Sequence, residues 1–421
     1  MPKTELLEKL ADVNNLYKAW RIVHTSVANS KSERIRKLSS EFSKNPIKDL
    51  ERISFDLRSR SFDFGGVVAT PIKKNSGKSK RPVGVSEKIN ARIVQRAILN
   101  ILWDNSKIKD LIIQDGRNSF GGIENTSTRD AIEELCKNCI EKEYYYFISS
   151  DIHNFFQNII NTNVHRRIIR RLPDKSINSL IKDAVKCEIV NMHKLNEEEI
   201  NMYPKDEVGV IQGSCLSPLY GNIFLSDFDQ KINSYKDIRC IRYIDDFIII
   251  GKSEKKVKWA FDRAIQILKK KGLSAYTPDE ENTKAVSGDV RITPIELLGC
   301  SISKGQVRPQ RKARQQLIRK IDEHIKVSLV KMNKIDGEQN FDCNFYATIA
   351  KINNIIKGWG GAFSFCNSKG FFIDLDNEIA DRLTQYQKKV DNICTGKTPK
   401  QKQRLYGYNL LLDCTHKNPI Y

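Results

Sequence analysis

The chain has 421 residues, 40% hydrophobic and 29% charged. That is too long for one hydrophobic core to keep growing, and too ordinary in composition for a fibrous or disordered protein. Lys and Arg number 71 against 51 Asp and Glu, and the formal charge of +20 points to a polyanionic partner, nucleic acid first. The opening MPKTELLEKLADVNNL holds no apolar signal core, and runs such as FIII (247–250) are too short to span a bilayer. A soluble, cytoplasmic protein without a membrane partner is expected.

Residues 1 to about 60, including LLEKLADVNNLYKAW and IRKLSSEFSKNPIKDLERISFDLRS, alternate polar and apolar positions at helical spacing. ATPIKKNSGKSKRPVGVS then reads as a hairpin with a cationic tip, either a grip for phosphates or a solvated basic loop. From Lys88 the apolar positions Ile89, Ile93, Val94, Ala97, Ile98, Ile101 and Leu102 predict a helix buried on one side, with Arg92, Gln95 and Arg96 outside the stripe. The ten cysteines are mostly isolated in apolar segments and read as thiols of a reducing compartment. Cys136 and Cys139 in ELCKNCIEK lack a second ligand pair at zinc spacing and read as two thiols on a helix face.

HKLNEEEINMYPKDE (193–207) looks like a surface excursion. A helix is predicted from about Lys256 to Lys271, with Trp259, Ala260, Ala264, Ile265 and Leu268 inward and Gly272 as the stop. After Gly305 the chain becomes helical and basic, opening with RPQRKARQQLIRKIDEHIK, and a separate C-terminal subdomain is placed there.

Two segments stand apart. In CIRYIDDFIIIG (240–251), Asp245 and Asp246 sit side by side within an apolar, β-branched run, where uncompensated carboxylates are costly. In EYYYFISSDIHNFFQNI, an aromatic, β-prone run ends at Asp151. If the two strands are neighbours, these carboxylates share a small volume and require a cation. Hard oxygen donors without nearby His or Cys favour Mg²⁺ over zinc. The competing reading of Asp-Asp beside a strand is a solvated turn.

YIDDF (243–247) resembles the Tyr-x-Asp-Asp signature of reverse transcriptases, and DIHNFFQNI resembles the first catalytic motif of that family. Further landmarks follow in family order. KSKRPVGVSEKINARIVQRAILNIL (78–102) is similar to the fingers segment, NSFGG (118–122) to the block after it, and GVIQGSCLSPLYGNIFLSDFD (209–229) to Gln-Gly-x-x-Leu-Ser-Pro with its trailing helix. ELLGCSIS (296–303) resembles the primer-grip hairpin, and INNIIKGWGGAF (352–363) the Gly-Trp thumb element of group II intron-type enzymes. Three positions depart from the family pattern. Ala91 precedes Arg92 where an Asp is usual, Gln157 replaces a carboxylate, and Asn282-Thr283-Lys284 stands where Lys-Thr is expected, with Lys284 as the candidate proton donor.

The resemblance implies an α+β right-hand polymerase, with fingers, a palm of antiparallel sheet backed by helices, and a helical thumb. The expected division is 1–70 N-terminal helical extension, 71–142 fingers, 143–304 palm, and 305–421 thumb and C-terminal region. It assigns Asp151, Asp245, Asp246 and the carbonyl of Ile152 to Mg²⁺. Lys74 (or Lys73) and Arg81 go to the triphosphate of a dNTP, Phe156 to a steric gate under the sugar, and Gln212 and Gly213 to the nucleotide and template base. Tyr243, Arg92, Gly299, Arg308 and Arg311 go to primer and template, with Lys312 and Arg314 among the thumb cations that follow duplex phosphates. Trp359 is expected to pack thumb helices. The implied function is RNA-directed DNA synthesis with an RNA template and a cDNA product. By family analogy the template is a dedicated noncoding RNA in bacterial anti-phage defence, and the protein is an oligomer or a monomer. The alternative is a maturase-like RNA-binding module assisting intron splicing.

Overall fold

The β-branched run that holds Asp245 and Asp246 folds into two strands of a four-stranded sheet. The computed structural model describes residues 4–28, 30, 32–73, 80–113, 118–205, 207–279, 284–334 and 342–408. The chain divides into two compact units, 1–288 and 289–421. Residues 289–304, expected with the palm, therefore fall in the second unit.

In the first unit, α1 (Glu5–Ala11), α2 (Val13–Ala28), α3 (Glu33–Phe42) and α4 (Pro46–Arg58) precede an antiparallel hairpin of β1 (Val67–Lys73) and β2 (Lys80–Ser86). Next come α5 (Ile89–Asp104), α6 (Ser106–Ile112), α7 (Thr128–Glu141) and β3 (Tyr146–Asp151). The short helices α8 (Asn161–Ile169), α9 (Asn178–Asp183) and α10 (Glu197–Asn201) lead to α11 (Ser217–Asn233). The hairpin β4 (Ile238–Tyr243) and β5 (Asp246–Gly251), α12 (Glu254–Lys270) and β6 (Val286–Asp289) complete it.

The sheet order is β4-β5-β3-β6, with β5 antiparallel to both β4 and β3. Helices α11 and α12 pack against these strands. α11 is buried on nearly every side, from Leu219 through Phe228 apart from Asp227, as a helix enclosed by the core must be, and Pro218 stands in its first turn. Each fully buried Leu, Ile or Phe here contributes about 1.5–3 kcal/mol.

Three expectations need correction. Trp259 does not face inward: it is 44% exposed, its ring against Tyr235, while Phe261 and Val257 take the buried positions of α12. Gln95 is buried with the apolar stripe of α5, because its amide donates to the Ala184 carbonyl (2.8 Å) and its oxygen accepts from Ser86 (3.3 Å). The segment 193–207 is more than a surface excursion. Tyr203 is buried and donates to the Val83 carbonyl (3.0 Å), and Glu199 pairs with Lys80 (2.5 Å), so the segment braces the β1–β2 hairpin.

In the second unit, β7 (Ile295–Leu297), β8 (Cys300–Ser303) and β9 (Gln306–Pro309) form an antiparallel meander. It is followed by α13 (Arg311–Lys334), α14 (Phe345–Ala362), α15 (Lys369–Cys394) and α16 (Pro399–Tyr406). Leu317, Ile318 and Ile321 of α13 meet Ile352 of α14 and Leu375 and Ile379 of α15. Trp359 packs against this cluster, its ring 4.7 Å from Phe363. Among the described residues no helix is long and apolar enough to cross a membrane.

Candidate active site

Antiparallel register brings the carboxylates together. Asp151, the last residue of β3, lies directly opposite Asp246, the first residue of β5. Tyr243 lies opposite Asp246 across the β4–β5 hairpin, whose two turn residues are Ile244 and Asp245. The Ile152 amide donates to the Asp245 carbonyl (3.1 Å), tying the turn to the end of β3. Residues 274–276 run along the other side: the Tyr276 amide donates to the Asp151 carbonyl (3.2 Å), and Ser150 donates to the Tyr276 carbonyl (2.7 Å).

Crowded, partly desolvated carboxylates resist ionisation. Burial, then the Asp245 and Asp151 charges, push Asp246 up to about 7. Burial and the Asp151 charge also raise Asp245. The cations Lys284 and Arg81 act on both in the opposite sense. Lys284 places its ammonium on the Asp151 carboxylate. Burial works against that ammonium, and the hydrogen bond and charge of Asp151 outweigh it, so its pKa is raised.

Among the described residues no three His, Cys, Asp or Glu side chains already stand in metal-holding geometry. At this cluster Lys284 contributes positive charge. Three hard-oxygen donors, two of them held above the usual carboxylate range, nonetheless suit a divalent cation of the magnesium type.

The same unit holds a cavity of about 490 Å³, lined among others by Arg92 and Arg96 of α5, Phe156, Gln212 and Gly213. Phe155 and Phe156 divide their roles by direction. Phe155 is buried, so close to Gly221 that a Cβ there would come within 2.7 Å, whereas Phe156 reaches the cavity wall. Arg92 has its pKa lowered by burial. The Gln212 carbonyl accepts from the Gly84 amide (2.8 Å), and a Cβ on Gly213 (φ +117°) would stand 2.6 Å from the Gly84 carbonyl. The close backbone approach that Gly213 permits is thus to strand β2.

Arg81, also on β2, is exposed and within electrostatic reach of Asp245 and Asp246. Lys74, Asn282 and Thr283 lie outside the described residues.

Gly299, Arg308 and Arg311 belong to the second unit. Leu298 and Gly299 form the β7–β8 turn with φ of +50° and +82°. Arg308, Arg311 and Lys312 line a groove of about 1300 Å³. Arg314 lines it too, with its guanidinium held by Glu378 (2.7 Å).

The arrangement also contains residues that pattern reading passed over. Arg242, 0% exposed, grips Asp229 of α11 through Nε (2.8 Å) and Nη2 (2.5 Å) and donates through Nη1 to the Ile244 carbonyl (2.8 Å). Gly121 packs against Ile244, where a Cβ would lie 2.6 Å from Ile244 Cγ1. The available signals were a buried-pattern strand, IRCIRY, that carries two arginines, and paired glycines in NSFGG, neither of which reveals its partner.

Comparison with known proteins matches two segments of the chain to described families. Residues 72–278 match the family described as reverse transcriptase (RNA-dependent DNA polymerase), and residues 325–403 match the maturase-specific domain of group II introns. Residues 72–278 are thus similar to a reverse transcriptase domain and residues 325–403 to the maturase-specific domain of group II introns, and the fold is of the mixed α/β, polymerase-like kind.

The chain is similar to Protein YkfC of Escherichia coli (strain K12), with 26% identity over 201 residues, 46% of this chain and 45% of that protein. It is also similar to the Putative COX1/OXI3 intron 2 protein of Saccharomyces cerevisiae, with 27% identity over 236 residues, 55% of this chain and 25% of that protein. The chain thus spans less than half the length of either relative. A telomerase structure from Candida albicans in complex with a fragment of telomeric RNA aligns over 84% of this chain and 61% of its own, with 11% identity and a TM-score of 0.42.

Proposed function

We propose that this protein is an RNA-directed DNA polymerase that extends a primer 3′-hydroxyl with dNTPs, copying a dedicated noncoding RNA in bacterial anti-phage defence. The observation that carries the polymerase reading is the β3–β5 register, which sets Asp151 opposite Asp246 with Asp245 on the adjoining turn. Asp151, Asp245, Asp246 and the Ile152 carbonyl would hold magnesium. When bound, such ions lower the pKa of the attacking hydroxyl and stabilise charge on the attacking and leaving oxygens.

The residues of the chain perform the remaining work. Arg81 reaches toward the same carboxylates and binds triphosphate oxygens, for which a bidentate guanidinium is suited. Lys284, already on Asp151, swings to the leaving phosphate and donates a proton. Phe156, on the wall of the cavity that Gln212 and Gly213 also line, excludes a ribose 2′-hydroxyl. Arg92 and Arg96 bind template phosphate in the same cavity. Arg308, Arg311 and Lys312 follow the duplex backbone without reading sequence. The defence role rests on family analogy.

A second reading has its own support. The match of residues 325–403 to a maturase-specific domain favours a module that assists intron folding, with polymerisation incidental. One experiment separates the two. The wild-type chain and the variant Asp245→Ala/Asp246→Ala are each given primed RNA, dNTPs and Mg²⁺. Loss of extension with RNA affinity retained supports the polymerase, and an inert wild type bound to its cognate RNA refutes it. Sequencing the nucleic acid that copurifies with the protein identifies the template. Recovery of an intron instead of a noncoding RNA and its cDNA decides for the second reading.

A further inference from the structure

The turn that presents Asp245 is held in a conformation its own residues disfavour. Ile244 has φ +61°, in the left-handed region. A β-branched side chain there costs of order 1–3 kcal/mol and persists only where its surroundings over-determine it. The first central position of such a two-residue hairpin favours Gly, Asn or Asp.

Two side chains of α11 and one buried arginine supply the constraint. Arg242 donates to the Ile244 carbonyl at 2.8 Å while its other nitrogens form a fork on Asp229 at 2.8 and 2.5 Å. Asn222 of α11 donates to the Gly121 carbonyl (2.9 Å) and accepts from Ser119 (3.0 Å). That segment is stitched to β4 by Phe120 N–H to the Arg242 carbonyl (3.0 Å) and Arg242 N–H to the Asn118 carbonyl (2.9 Å). Gly121 then presses on Ile244 from outside, where a Cβ would come 2.8 Å from the Ile244 nitrogen.

Stability alone does not account for Arg242. It is fully buried, and an ion pair with no access to water is often no more stabilising than a hydrophobic pair of the same volume. What a hydrophobic pair cannot do is bind the carbonyl of Ile244.

We propose that Arg242 is a positioning residue for DNA synthesis. Oriented by Asp229, it fixes the Ile244 carbonyl and with it the direction in which Asp245 and Asp246 leave the hairpin. This rests on the reading of those carboxylates as the catalytic cluster. A guanidinium serves here because its rigid fork satisfies the carboxylate and still leaves a donor for the carbonyl, which a lysine ammonium does with less directional control.

The test compares the full-length wild type with two variants, Arg242→Met/Asp229→Leu, which removes both charges together, and Arg242→Lys. Each is measured for thermal midpoint, affinity for oligo(dT)-primed poly(rA) without dTTP, kcat and KM for dTTP, and the Mg²⁺ concentration giving half the maximal rate. The double variant is expected to melt within a few degrees of wild type and bind primed RNA normally. Its kcat should fall about 10²-fold, the scale of a misplacement near 1 Å, with KM little changed and a higher Mg²⁺ requirement. Arg242→Lys should lose about tenfold in kcat, and it carries the test if the double variant does not fold.

Hydrogen–deuterium exchange across residues 240–250 of the metal-free proteins reads the turn without catalysis and is expected to quicken in both variants. A folded variant with kcat within twofold of wild type overturns the proposal, as does unchanged exchange or a kcat loss matched by an equal loss of RNA affinity. An inactive wild type defeats the polymerase reading instead, and exchange alone then decides whether Arg242 holds the turn.

Discussion

Removing one charge from the carboxylate cluster is expected to stabilise the metal-free protein. Asp246 is half-buried, with its pKa pushed from the ordinary 3.8 to about 7 by burial and by the neighbouring Asp245 and Asp151. In the folded state it therefore holds a proton between about pH 4 and pH 7 that the unfolded chain releases. The folded state binds more protons there, so stability falls as pH rises through that window and stays low above it. A shift of this size corresponds to about 4 kcal/mol. Solvent at the partly open cluster reduces it to about 2 kcal/mol. In a unit of this size that is about 4 °C in melting temperature.

The assay is calorimetry of wild type and Asp246→Asn in a chelating buffer from pH 4 to pH 8.5. The variant should melt about 4 °C higher at pH 8, with the gap closing toward pH 4. Saturating Mg²⁺ should narrow the gap at pH 8, because it stabilises only the charged cluster. A gap that is constant across pH, or a variant less stable at pH 8, would refute the reasoning.

Other expectations follow from the same geometry. Gly213→Ala puts a methyl group 2.6 Å from the Gly84 carbonyl at φ +117°, and should cost about 1–3 kcal/mol, read as a lowered denaturant midpoint. His165, buried and lowered to about 4 by desolvation, binds a proton more readily unfolded than folded. Its contribution is complete above pH 6.5 and disappears as pH falls to about 4, up to about 3 kcal/mol. His165→Phe should flatten that acid limb in a melting series. Arg308→Ala with Arg311→Ala should weaken RNA–DNA duplex binding regardless of sequence, and lower the slope of log affinity against log salt by about 1 per side chain. Phe156→Ala should raise ribonucleotide incorporation about tenfold or more relative to dNTPs, measured as a ratio of kcat/KM values.

Much of this protein could be read along the chain. Periodicity sufficed for α5 and α12 as elements, because repeated burial of one helix face leaves its mark every three or four residues. It did not suffice for Trp259, since a helical stripe has edges, and whether an edge residue is covered depends on what packs there. Gln95 went astray for the opposite reason: a polar side chain is buried wherever a distant carbonyl, here that of Ala184, accepts its proton. The acidic look of residues 193–207 suggested solvent, yet Glu199 and Tyr203 find their partners on β2, more than a hundred residues earlier.

The candidate site divides along the same line. Two acidic residues in a β-branched run, with a third at the end of another strand, were sufficient to name Asp151, Asp245 and Asp246, because isolated charges in apolar strands demand an explanation from chemistry. That Asp151 stands opposite Asp246, that Lys284 rests on Asp151, and that Arg242 reaches back to the turn from a bond with Asp229 were decided only by the folded chain. The sequence determined which side chains are expected to carry the chemistry; the tertiary structure decided which of them meet. Register and long-range pairing are properties of two segments at once, and no local pattern in either segment contains them.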